Sequence, residues 1–125
     1  MTDVLENASN WLENQRRRHA AHEVTFVRGG RPIVVLATIG KTTFEVDDGY
    51  GVLIRHESRD YLVTAEDLIL DDTPVIPQRG DRIQETQGLQ TFVYEVTAPG
   101  KEPVWNYSDH FRKTLRIHTT QIGTS

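Results

Sequence analysis

Apolar residues recur along this chain in two rhythms, and the change between them falls near residue 22. From residue 3 to about 21, Val4, Leu5, Ala8, Trp11 and Leu12 gather on one side of a roughly 3.6-residue repeat, which predicts an amphipathic helix. Thr2 or Asp3 can cap its start, Glu6 sits in the first turns, and Arg16, Arg17 and Arg18 lie near its end, where the helix dipole favours cations. Past Leu12 the same face carries Gln15 and His19, so the second half has little to bury against its own domain. Trp11, Gln15, Arg16 and His19 are therefore the candidates for contact with another chain.

After His22 the period falls to two. Val24 and Phe26, then Ile33, Val35 and Ala37, mark two strands joined at Arg28-Gly29-Gly30-Arg31, a strong hairpin signal. Thr43–Val46 and Gly51–Arg55 read as two more strands about the turn Asp47-Asp48-Gly49-Tyr50, and Tyr61–Val63 as a short one. Thr64 can cap one or two helical turns over Ala65–Leu70, which Asp71-Asp72-Thr73-Pro74 would end. A strand beginning at Arg82-Ile83-Gln84 turns at Gln87-Gly88 into Thr91–Val96, and residues 102–107 and 114–122 supply the last two. About eight short antiparallel strands over residues 23–122, after one N-terminal helix, predict a mainly β fold, a small barrel or sandwich, in one domain spanning 1–125.

Composition narrows the chemistry. The chain has no cysteine, which excludes disulfides, thiolate metal sites and cysteine nucleophiles. Fourteen Lys and Arg against eighteen Asp and Glu give a net charge of −4, the wrong sign for wrapping nucleic acid through many phosphate contacts. The acidic N-terminus lacks the apolar run of a secretion signal, and no stretch of about eighteen apolar residues could cross a membrane as a helix. A soluble intracellular protein is the expectation.

The motifs that resemble reactive centres fail on spacing. His19-x-x-His22-Glu23 has the wrong order for a zinc-protease helix, so no metal is expected. Ser108-Asp109-His110 cannot form a triad from adjacent residues and reads as a turn. Arg79-Gly80-Asp81 reads as a bend, with Gly80 free to take positive φ and Asp81 able to accept from nearby backbone N–H groups. No catalytic site or cofactor is expected.

The order P-x-x-G-D-x-I, turn, F-x-Y-E-V, W-x-x-S-D and L-R-I-H-T from Pro77 to Thr119 resembles bacteriophage head-completion proteins of the head–tail joining or tail-attachment type. The matching residues are Pro77, Gly80, Asp81, Ile83, Tyr94, Val96, Trp105, Ser108, Asp109, Arg116, His118 and Thr119. The resemblance implies a structural β-barrel in a ring of its own copies, a hexamer or dodecamer, in the neck of the virion. Its neighbours would be a portal or adaptor protein and a tail tube or tail terminator protein. A loop would close the channel, DNA would pass without specific binding, no membrane would be involved, and assembly would occur in the bacterial cytoplasm. The segments richest in mixed charge and turn residues are the candidates for gating or docking. They contribute Lys41, Glu45, Asp47, Asp48 and Tyr50 from Lys41–Gly51, and Glu66, Asp67, Asp71 and Asp72 from Ala65–Pro77.

Two other readings compete. A small cellular binding module would gather Tyr50, Tyr61, Trp105, Tyr107 and Phe111 around a ligand or peptide, and a metal-dependent hydrolase would use His19, His22 and an acidic turn.

Overall fold

Each strand of the body sends alternate side chains inward, and those inward sets are what close the sheet on itself. The computed structural model describes residues 21–124. The helix expected over 3–21, with Trp11, Gln15, Arg16 and His19, falls outside the described residues except for its final position. Nine strands follow: β1 (His22–Arg28), β2 (Arg31–Asp47), β3 (Leu53–Thr64), β4 (Ile69–Leu70), β5 (Thr73–Pro74), β6 (Arg82–Gln87), β7 (Gln90–Val96), β8 (Trp105–Tyr107) and β9 (Thr114–Thr124). Hydrogen bonding runs β3-β2-β1-β6-β7-β9-β8, and β9 also pairs with β3, so six antiparallel strands form a closed barrel. Closure removes the sheet edges that would otherwise template aggregation. β8 rides on β9 beside the first half of that strand, and β7 takes over the same edge beside the second half.

The barrel is filled by Val24, Phe26, Val35, Ala37, Tyr61, Val63, Ile83, Tyr94, Val96, Leu115 and Ile117, all buried. They alternate with solvent-facing neighbours, as the period-two pattern requires. After β3 the chain makes one 3₁₀ turn, Ala65–Asp67, which delivers Leu68 fully buried into the same core. The two-residue turn Gly29-Gly30 has φ of +56° and +80°, a conformation glycine adopts without the cost a Cβ imposes, and it fixes the register Arg28↔Arg31.

Three expectations are corrected. The strands read at 33–37 and 43–46 are parts of one strand, β2, and those at 51–55 and 61–63, apart from Gly51 and Val52, belong to β3. Gly40, in the gap read between the first two of these segments, sits in β2 opposite Asp60, where an added Cβ would lie 3.3 Å from Leu62 Cδ1 and 3.6 Å from an Arg116 nitrogen. A glycine inside an extended strand marks close approach of a neighbouring group. The helical segment at Ala65–Leu70 is the single 3₁₀ turn, because Ile69 and Leu70 turn back at Asp71-Asp72 to pair with Pro74 and Thr73.

Candidate functional site

β2 and β3 outrun the barrel. β1 covers β2 only as far as Ala37, and β9 covers β3 only from Arg59 onward, yet β2 and β3 stay paired with each other through Asp47↔Leu53. The rungs from Thr42↔Ser58 to Asp47↔Leu53 therefore form a two-stranded arm with no third strand. At a strand rise of roughly 3.3 Å per residue it extends about 20 Å from the wall.

The tip of the arm is apolar. Tyr50 is 90% exposed, Leu53 63% and Val52 55%, with Ile54 and Val46 also open to solvent and paired with each other. Contiguous exposed apolar groups on a folded protein mark contact surfaces. Asp47 Oδ1 accepts from Gly49 N at 2.8 Å, and Asp48 Oδ1 accepts from Tyr50 N at 2.7 Å and Val52 N at 3.2 Å. These two carboxylates build the turn that presents the apolar groups. Lys41 and Glu45 lie on the opposite face of the ribbon from Phe44, and Lys41 Nζ stands 3.6 Å from Glu57 in an exposed ion pair of small energetic weight.

The second candidate segment lies at the other end of the barrel. Glu66 and Asp67 occupy the 3₁₀ turn, and Asp71 and Asp72 form the β4–β5 turn with φ of +51° and +62°. Asp71 is ion-paired with Arg31 of the β1–β2 hairpin. The two sets of sequence candidates thus face opposite ways along the barrel.

Between these ends run two buried ionic clusters. Glu85 lies at the arm end of the barrel. It accepts from Arg59 at 2.8 and 2.9 Å, from the Tyr61 hydroxyl at 2.8 Å and from Gln87 at 2.7 Å. Burial alone would raise the Glu85 pKa, but the hydrogen bonds from Arg59, Tyr61 and Gln87 outweigh it and hold the carboxyl below its ordinary value. Burial, reinforced by the Glu85 hydrogen bond, pushes the Tyr61 phenol well up.

The other cluster sits at the root of the arm. Asp60, fully buried, accepts from Thr42 Oγ1 at 2.5 Å, Ser58 Oγ at 2.6 Å, an Arg116 nitrogen at 2.6 Å and His118 Nδ1 at 2.8 Å. Burial works to raise its pKa, yet the bonds from His118, Ser58, Thr42 and Arg116 together hold it down at about 2. A folded-state value below the unfolded one gives stability that is complete above the ordinary carboxylate range and disappears as pH falls through about 2. The shift corresponds to about 2 kcal/mol. Melts of the wild type and Asp60→Asn should therefore differ most above pH about 4, and the gap should close toward pH about 2; a constant gap across that window would mean that ionisation is not what the site uses.

The remaining motif residues are architectural. Gly80 has φ +95°, and Asp81, nearly buried, accepts from Gln78 N at 2.8 Å while holding Arg28 Nε and Nη2 at 3.0 and 2.7 Å. An adhesive tripeptide needs its carboxylate free, whereas this one is bound on both oxygens. Asp109 accepts from Lys113 N and Thr114 N and shapes the turn after exposed Ser108, beside half-buried Trp105. Pro77, Ile83, Tyr94, Val96 and Thr119 are buried wall and core positions, and Thr119 Oγ1 donates to Arg59 O at 2.6 Å. Tyr61 lies inside the barrel and Tyr50 at the arm tip, so the five rings of the binding-module reading do not meet. Among the described residues no three His, Asp or Glu side chains group as metal ligands.

The resemblance at Pro77–Thr119 implied a β-barrel, and the described residues form one. A model of the phage head-tail joining protein family matches residues 2–125. The chain belongs to this family. No curated protein matches the sequence. The match extends the resemblance at Pro77–Thr119 to nearly the whole chain, including the arm. Head–tail joining proteins are structural parts of the virion neck and work among other phage head and tail components.

Sequence reasoning reached the arm through its charges and missed Val46, Val52, Leu53 and Ile54. A signal was present: Val52, Leu53 and Ile54 are consecutive, and period-two burial on one face cannot account for three apolar residues in a row beside a turn.

Proposed function

We propose that this protein forms a ring of its own copies in the phage neck, between a portal or adaptor protein and the tail, with the β2–β3 arms reaching inward to close the DNA channel. The observation that carries this reading is the arm itself, about 20 Å of two-stranded ribbon with its apolar groups at the end farthest from the barrel. Arms converging on an axis would bury those groups against one another, while the net charge of −4 leaves DNA nothing to adhere to as it passes. The acidic end bearing Glu66, Asp67, Asp71 and Asp72 is then the face turned toward a neighbour, portal or adaptor on one side, tail tube or terminator on the other. Assembly takes place in the bacterial cytoplasm.

Deleting the gene from its phage should leave DNA-filled heads and finished tails unjoined in electron micrographs of the lysate, with joining restored by the chain supplied from a plasmid. Normal tailed particles from the deletion would overturn the assignment.

A further inference from the structure

We propose that Asp60 is a positioning residue that latches the arm to the barrel wall and sets the direction in which it leaves. This goes beyond the neck assignment and stands on the geometry alone. The backbone ladder between β3 and β9 ends at Arg59↔Thr119, so past that rung no main-chain bond ties the arm to β9. The Asp60 carboxylate sits at this fork. Thr42 and Ser58 face each other as the first rung of the free arm, one on β2 and one on β3, and Asp60 accepts from both. Its remaining bonds go to Arg116 and His118 on β9. One buried anion thus joins both strands of the arm to the strand from which the arm diverges.

The surroundings seal the joint. An ionised carboxylate only accepts, so all four neighbours donate, and His118 carries its proton on Nδ1. The loop after β7 is pinned to both backbone groups of His118, through Thr97 N to His118 O at 3.0 Å and His118 N to Val104 O at 2.9 Å. That loop brings Gly100 against the Phe44 ring on the same face of the arm, where an added Cβ would lie 3.4 Å from Phe44 Cδ2. Phe44 in turn stacks on His56 at 5.7 Å. Around the fully buried Asp60 carboxylate these charge-assisted and hydroxyl bonds are strengthened, and losing the anion leaves the arm held by its two-stranded ladder and the Gly100–Phe44 contact.

Hydrogen exchange of the full chain, followed by mass spectrometry, tests this. In Asp60→Asn the amides of residues 42–58 should accelerate at least roughly tenfold more than those of β1, β6 and β7, which follow only the loss of overall stability, since local opening is separable from global unfolding. Thr42→Val, which preserves shape and removes only the donor on β2, should give a smaller increase confined to the same residues, and it decides the matter if Asp60→Asn does not fold. Arm rates unchanged in the folded variants, or a rise shared equally by arm and barrel, would overturn the latch. Neither outcome depends on whether the protein joins heads to tails.

Discussion

Lysine at both Leu53 and Ile54 is expected to abolish the joining of heads to tails while the barrel melts within a few degrees of the wild type. Both side chains are exposed, at 63% and 43%, and exposed substitutions away from special features change stability by about 0.5 kcal/mol or less. Their function, on the proposed reading, is to be buried against neighbouring arms, and there a charge would have to be desolvated without a partner. Central contact residues commonly contribute about 2 kcal/mol each, so two of them amount to roughly a thousandfold in association. Plaque counts in a complementation assay, beside a circular dichroism melt of the purified variant, separate the two effects. Full complementation by the doubly charged arm would remove the tip from the mechanism.

Methionine at Arg59 should produce the largest loss of stability of any single change considered. Methionine retains much of the side-chain length that packs over the Tyr61 and Tyr94 rings, where the guanidinium carbon lies 5.7 and 5.3 Å from the ring centroids. The charge that offsets Glu85 is lost. Glu85 is nearly buried, and removing one partner of such a pair costs about 3 kcal/mol or more because the other charge stays uncompensated. For a barrel of this size that is a drop in Tm of at least about 10 °C. Changing Glu85 to Gln in the same chain should recover most of the loss, since a neutral amide still meets Tyr61 and Gln87. A double variant as unstable as Arg59→Met alone would show that packing, and not the unpaired carboxylate, causes the effect.

What the sequence made legible follows from range. Turns and alternation are local, so the Gly29-Gly30 hairpin, the bend at Gly80-Asp81, the turn at Ser108-Asp109 and the inward set from Val24 to Ile117 could be read from neighbouring residues. The arm was half legible. Its turn was recognised, but Thr38, Lys41 and Thr42 look like a loop around Gly40, and only pairing with β3 shows that the strand runs straight through them. The buried ionic clusters were not legible at all. Asp60 lies 58 residues from His118 and Glu85 lies 26 from Arg59, and pattern alone assigns a carboxylate to the surface unless its distant donors are known. Asp47 and Asp48, candidates for the channel by their charge, each also use one carboxylate oxygen to hold backbone N–H groups of their own turn.

In the proposed neck, the arm is the part that acts at the channel. A reconstruction of the neck in intact tailed particles addresses it directly, at a resolution that traces β2 and β3. Density for residues 42–58 should run from each barrel toward the axis, with Tyr50, Leu53 and Ile54 in contact with other copies. Arms lying along the outer wall of the neck, their tips in solvent, would contradict it.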